Sequence, residues 1–252
     1  MVKFSAENWE IDNIETVLFD KDGTFIDLHY FWGKMTEMRA KEVASRYGIS
    51  QDELKNLCLL LGYDIESGRM LEDGITALYS RAKIIELFNA ELGARYDLSV
   101  SAENMASIFD EVSERFYKNI NSYTKPIPEA VEFIKKIRSK GVKLGIVTSD
   151  SVVSTNLTLE YLGWEDVFGA VLGRESSPET KESGALTKMA LGQLRATPET
   201  TVMIGDAPMD YISAKNAGVD NTILVASGQI CLKNLQKISN YTARTLSEIQ
   251  IS

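Results

Sequence analysis

Three consecutive apolar residues, Val17-Leu18-Phe19, run directly into Asp20-Lys21-Asp22-Gly23-Thr24. A short segment that is apolar at every position reads as a strand buried on both faces, and so as a central strand of a parallel sheet. On extended backbone, side chains two residues apart project to the same side, which puts the carboxylates of Asp20 and Asp22 together. Like charges at one small site repel unless a cation or a shared proton relieves them. Lys21, between them, is expected to point to the other side of the strand and to be structural. A plain acidic turn is the competing reading, since Asp-Gly is a common turn dipeptide.

The chain has 252 residues, 44% of them hydrophobic and 25% charged, as in an ordinary globular protein with an ample core. Its net charge of −9 argues against a nucleic-acid backbone as partner, which calls for a basic face. A small anion is compatible with that charge if cations are placed locally. No apolar run approaches the ~20 residues that span a bilayer, and Met1 to Asn13 lacks the apolar region of a signal peptide. Two cysteines, Cys58 and Cys231, make no disulfide framework and no metal-type spacing, so a cytoplasmic setting is expected. The single histidine, His29, excludes a three-histidine zinc site and leaves a Ser-His-Asp triad no other base.

Two textures alternate along the sequence. Residues 14–27 and 126–252 read as short apolar strands separated by helices. The strands are Val142–Val147, Asp166–Leu172, Thr201–Ile204 and Thr222–Val225. The helices are Pro128–Lys140, Ser151–Leu162, Ala185–Arg195 and Pro208–Ala217. Strands alternating with helices imply an α/β fold, a doubly wound parallel sheet. Residues 28–122 read as helical throughout, with apolar stripes at Ile75, Leu78, Tyr79, Ala82, Ile85 and Leu92, and at Met105, Ile108, Phe109, Val112 and Phe116. Such stripes are core. The expected organisation is an α/β domain over 1–27 and 123–252, with an all-helical domain over 28–122 inserted after the first strand. Ligands bind beyond the carboxyl ends of parallel strands, so that insertion is expected to act as a cap.

Three further segments carry polar residues at strand ends or helix starts. Ile146-Val147 runs into Thr148-Ser149-Asp150. Lys181 sits in the polar stretch Ser176 to Gly184. Ile204 runs into Gly205-Asp206, with Asp210 four residues on. Taken singly, these read as a helix N-cap, a solvated charge, and a cap followed by a first-turn acid. Together with Asp20 and Asp22 they converge on one sheet edge.

The four segments, in this order around a helical insertion, resemble the four motifs of the haloacid dehalogenase-like hydrolase superfamily, in particular its phosphoglycolate-phosphatase-like phosphatases. Asp20-x-Asp22-Gly23-Thr24 resembles the first motif, Thr148 the second, Lys181 the third and Gly205-Asp206-x-x-x-Asp210 the fourth. One departure stands out: Lys181 is followed by Glu182-Ser183-Gly184, where the family usually has prolines. Lys188, Lys143 and Lys140 are the other nearby cations.

The resemblance implies a Mg²⁺-dependent phosphatase acting on a small phosphorylated metabolite through an aspartyl-phosphate. Asp20 would be the nucleophile and Asp22 the acid and then the base. Thr148, Ser149 and adjacent N–H groups would bind phosphate. Lys181 would neutralise Asp20 and the transferring group. Magnesium would be held by Asp20, the Asp22 carbonyl and Asp206, with Asp210 orienting that shell or entering it. Thr24 is expected to hydrogen-bond within its loop. In the inserted domain, Arg69 is the candidate for a second anionic group on the substrate, and His29 is expected at a hinge or the surface. A phosphomutase of the β-phosphoglucomutase type, or a weakly catalytic binding member of the family, are the alternatives.

Overall fold

The structure, a computed structural model, describes residues 1–252 and contains two compact units, Met1–Asp27 with Thr124–Ser252, and Leu28–Tyr123. The first begins with β1 (Val2–Ala6), β2 (Trp9–Ile14) and β3 (Thr16–Phe19). The second contains α1 (Leu28–Tyr47), α2 (Leu54–Leu60), β4 (Tyr63–Asp64), β5 (Arg69–Met70), α3 (Ile75–Leu78), α4 (Arg81–Tyr96), α5 (Ala102–Lys118) and α6 (Ile120–Tyr123). The first unit then resumes with α7 (Pro128–Ser139), β6 (Lys143–Val147), α8 (Val152–Leu162), β7 (Ala170–Leu172), α9 (Ala185–Leu194), β8 (Thr201–Gly205) and α10 (Pro208–Asn216). It ends with β9 (Asn221–Val225), α11 (Leu232–Leu235), β10 (Tyr241–Ala243) and β11 (Gln250–Ile251).

Six strands form a parallel sheet in the order β10-β9-β8-β3-β6-β7, with β3 inside it as its unbroken apolar run predicts. Val17, Leu18 and Phe19 have no exposed surface. Leu18 packs on one face with Leu186, Ala190, Leu191, Met203 and Ala214, an aliphatic layer supplied partly by α9 and α10. Phe19, one residue on, faces the other layer, where its ring meets those of Phe25, Phe133 and Phe168. Register fixes the site's floor. Phe19 is opposite Ile146 of β6 and Ile204 of β8, so the carboxyl ends of these three strands lie level with one another.

Several details depart from the sequence reading. β1 and β2 form a hairpin whose partner is β11, at the far end of the chain, in a separate antiparallel sheet. Of Asp166–Leu172 only Ala170–Leu172 is strand. The inserted unit is not purely helical, because β4 and β5 pair in a two-stranded hairpin. Its predicted stripe from Ile75 to Leu92 is broken: α3 stops at Leu78, and Ser80 caps α4 by accepting the N–H of Lys83. Leu78 and Tyr79 are consequently exposed. The core of this unit is built from α1, α2, α4 and α5 around residues such as Val43, Leu57, Phe88, Leu92 and Phe109. His29 is half-buried in it, its Nδ1 accepting the N–H of Met70 at 3.1 Å and so linking α1 to β5.

Phe4 of β1 is fully buried and stacks on Phe133 with centroids 5.9 Å apart, which makes the hairpin part of the main core. Phe4→Ala should therefore destabilise the protein by about 3 kcal/mol in urea unfolding. A loss below about 1 kcal/mol would mean that the hairpin is an appendage.

Candidate active site

β3 ends at Phe19, and Asp20 leaves it with its N–H still donated to the Ile204 carbonyl, 2.8 Å away on β8. The chain then turns. The Lys21 carbonyl accepts the N–H groups of Phe25 and Ile26 at 3.1 Å each, and the Gly23 N–H donates to the Ile26 carbonyl at 2.8 Å. The loop's backbone groups thus satisfy one another, and the buried Thr24 hydroxyl makes no hydrogen bond, contrary to the sequence expectation.

This turn also changes the place of Lys21. Strand alternation no longer applies beyond Phe19, and the Lys21 side chain does not leave the site. Fully buried, its Nζ lies 2.7 Å from Oδ1 of Asp22 and 3.0 Å from Oδ2 of Asp150. Burial works against its ammonium, but the charges of Asp22 and Asp150 outweigh it and hold the lysine pKa above its usual value. For Asp22 the balance goes the other way. Burial raises its pKa to about 6, the Asp150 and Asp20 charges add to the rise, and Lys21 opposes it.

Lys181 forms the second buried ion cluster. Its Nζ lies 2.7 Å from Oδ1 of Asp20 and 2.6 Å from Oδ1 of Asp210. It opens a single 3-10 turn, Lys181–Ser183, that needs no proline. Gly184 follows with φ +81°, and a β-carbon there would stand 2.8 Å from the backbone of Asn216. Asn216 in turn donates to the Glu182 carbonyl at 2.7 Å. These contacts dock the lysine turn on the end of α10 in place of the expected prolines. Lys143 is exposed and donates to the Arg195 carbonyl, while Lys188 is also exposed. Lys181 is therefore the lysine at Asp20.

Asp206 follows β8, and Asp210 lies in the first turn of α10, where its Oδ2 accepts the Ala207 N–H at 3.0 Å. Asp20, Asp206 and Asp210 each contribute a carboxylate oxygen to a buried group in which these atoms lie within 4.8 Å of one another. Lys181 is paired with two of the three. Asp206 is 3% exposed and has no ion pair, so burial first, then the charges of Asp20 and Asp210, raise its pKa well above the usual range. Asp210 is raised for the same first reason, against the pull of Lys181.

Close-packed backbone holds Asp206 in place. A β-carbon on Gly23 would fall 2.3 Å from its Oδ2, and one on Gly228 would fall 1.7 Å from the same atom. Ser227 Oγ donates to the Gly23 carbonyl at 2.6 Å and joins the two loops. The sequence reading missed Ser227 and Gly228, which no motif marks. An oxygen-only donor set with an uncompensated buried carboxylate fits a hard divalent cation.

Thr148 is buried just beyond β6, its Oγ1 accepting the Asp150 N–H at 3.1 Å. Ser149 is exposed, with Oγ 3.1 Å from Met209 Sδ. The cap of α8 is Ser151 rather than any of Thr148–Asp150, its side chain accepting the Ser154 N–H. Arg69 lies on β5 of the inserted unit, exposed and without an ion pair.

A sheet whose carboxyl edge gathers Asp20, Asp22, Lys181, Asp206 and Asp210 defines the class of protein. The chain matches the haloacid dehalogenase-like hydrolase model over residues 14–218. It belongs to that family and is an enzyme. It is 27% identical over 212 residues to the phosphoglycolate phosphatase of Psychrobacter arcticus, covering 82% of this chain and 81% of that one. It is 23% identical over 215 residues to pyrophosphatase PpaX of Oceanobacillus iheyensis, covering 85% of each. In fold it resembles the crystal structure of a predicted phosphoglycolate phosphatase from Haemophilus somnus, with TM-score 0.73, 15% identity, and coverage of 94% and 97%. Within the family, the resemblance is to the phosphoglycolate-phosphatase-like phosphatases.

Gly228→Ala should leave the fold intact and displace the Asp206 carboxylate. Magnesium titration by calorimetry should then show affinity reduced by at least about tenfold, the scale on which shifting a group that orients a metal site weakens binding. Unchanged affinity would show that the Gly228 contact does not shape the acidic group.

Proposed function

We propose that this chain is a Mg²⁺-dependent phosphatase that hydrolyses a small phosphate monoester through an aspartyl-phosphate on Asp20. One observation carries the reading. A buried ammonium grips Asp20 and Asp210 at once, beside a third buried carboxylate that has no cation of its own. Nucleophilic attack by a carboxylate on a phosphate dianion needs nearby positive charge to offset the repulsion.

Lys181 supplies one such charge and fixes one oxygen of Asp20. The other oxygen is the nucleophile and forms the new bond to phosphorus. Asp22, with its pKa raised to about 6, protonates the departing oxygen and then takes a proton from the water that hydrolyses the aspartyl-phosphate. A carboxyl group near neutrality suits both duties. Thr148, Ser149 and the N–H groups that follow bind the phosphate oxygens. Asp20, the Asp22 carbonyl and Asp206, with support from Asp210, would hold a magnesium ion, which would supply positive charge to offset that of the transferring group. Arg69, exposed and free of carboxylates, is assigned to a second anionic group on the substrate. The named relatives suggest 2-phosphoglycolate and pyrophosphate as the first compounds to test.

Asp20→Asn should abolish phosphate release from aryl phosphates and from any active member of a metabolite panel, with the melting curve retained. Turnover by that variant would overturn the mechanism. Formation of an isomerised sugar phosphate without phosphate release by the wild type would replace hydrolysis with mutase chemistry.

The raised Asp206 and Asp210 carboxyls also set how metal binding should depend on pH. Ionised carboxylates bind the ion and protons compete with it, so binding strengthens as pH rises through the elevated pKa values. Magnesium at roughly 100 times its Kd should raise Tm by about 5–10 °C near pH 8 and by clearly less near pH 5. An equal shift at both pH values would contradict the assignment of Asp206 and Asp210 to the ion.

A further inference from the structure

The mechanism above uses one of the two buried lysines of the α/β unit and leaves Lys21 without a role. The side chain of Lys21 has no exposed surface, and its ammonium sits between Asp22 Oδ1, at 2.7 Å, and Asp150 Oδ2, at 3.0 Å. Both ends of this bridge are anchored. The Lys21 carbonyl accepts two N–H groups of its own turn. Asp150 accepts the Ser151 N–H at 2.7 Å through Oδ1 and donates its own N–H to Thr148 Oγ1 at 3.1 Å. The bridge therefore ties the loop after β3 to the loop after β6.

A buried ammonium persists only where its partners repay the loss of hydration. A single carboxylate would neutralise it, and the second partner adds direction. Asp150 holds Lys21 from one side, and Lys21 holds one oxygen of Asp22 from the other. With that oxygen fixed, rotation of the Asp22 carboxyl about its Cβ–Cγ bond is restrained, so the direction of its other oxygen is set as well.

We propose that Lys21, braced by Asp150, is a positioning residue that orients the Asp22 carboxyl toward the leaving oxygen. The inference rests on the assignment of Asp22 as the acid. In the step concerned, an Asp20 oxygen bonds to phosphorus as the bond from phosphorus to the ester oxygen breaks. The Asp22 proton passes to that oxygen and the alcohol departs. An alkoxide leaving group needs the proton, whereas a dinitrophenolate does not. Loss of orientation is thus felt selectively, and a general loss of folding is not.

The experiment compares kcat/KM for 2-phosphoglycolate, an alkyl ester, and for 2,4-dinitrophenyl phosphate, with magnesium present. Asp22→Asn is the reference, since it removes the acid itself. Lys21→Met keeps the volume of the side chain and should lower turnover of the alkyl ester by about 100-fold and of the aryl ester by less than about fivefold, the range of general-acid effects. Because Lys21→Met leaves two buried carboxylates facing each other, Lys21→Met/Asp150→Asn is measured beside it. That pair keeps the net charge of the cluster and should show the same selectivity. Equal losses on both esters, or no loss, in the Lys21 variants overturn the proposal while a selective Asp22→Asn leaves the acid assignment standing. A non-selective Asp22→Asn overturns the acid assignment, and the proposal with it.

Discussion

The contact between Lys181 and its two aspartates governs the rest of the site. Its partners come from different parts of the sequence: Asp20 follows β3, Asp210 begins α10, and Lys181 opens a turn before α9. A buried charge left without its partner costs several kcal/mol, so the ammonium forces three segments to stay together. The parallel register of β3 and β8 does the coarse placement, and the Lys181 turn, seated on α10 through Asn216, does the fine placement. A surface lysine could not serve, because its charge would be screened and its position unfixed.

The two carboxylates of the first motif have different nearest cations although one residue separates them. Asp20 faces Lys181 and the acidic group, while Asp22 faces Lys21 and Asp150. Dividing neighbours in this way lets one short loop give its two carboxylates different surroundings. At Asp22 burial prevails over Lys21 and pushes the pKa up.

Much of this arrangement is legible in the sequence, because its parts are local patterns with a fixed meaning. Val17–Phe19 is apolar throughout and proves central; Ile146-Val147 and Met203-Ile204 repeat the pattern and flank it. Each ends in the polar residues that mark the site. What escaped depends on distant pairing or on very short elements. The burial of Val2, Phe4, Ile11 and Ile14 makes sense only once the hairpin is known to pair with β11 and pack on Phe133. Two-residue strands such as β4 and β5 are too short to show a period. Strand alternation would send Lys21 to the far side only if the strand ran past Phe19, where it stops. Gly228 is a lone glycine in a loop, and only the approach of Asp206 gives it meaning.

That approach bears on how the repulsion among the three carboxylates can be relieved. Repelling carboxylates in a loose site could swing apart into solvent, and no ion would be needed. Here Asp206 is confined between the backbones at Gly23 and Gly228, which Ser227 joins, and Asp210 is pinned by the Ala207 N–H and Lys181. Neither can retreat. Burial and the neighbouring charges raise the Asp206 pKa, and either a proton there or a cation seated among the three oxygens would relieve the repulsion. Because proton and cation would relieve the same strain, each would exclude the other, and under the proposed assignment the glycines that make the site so tight would also couple metal binding to pH.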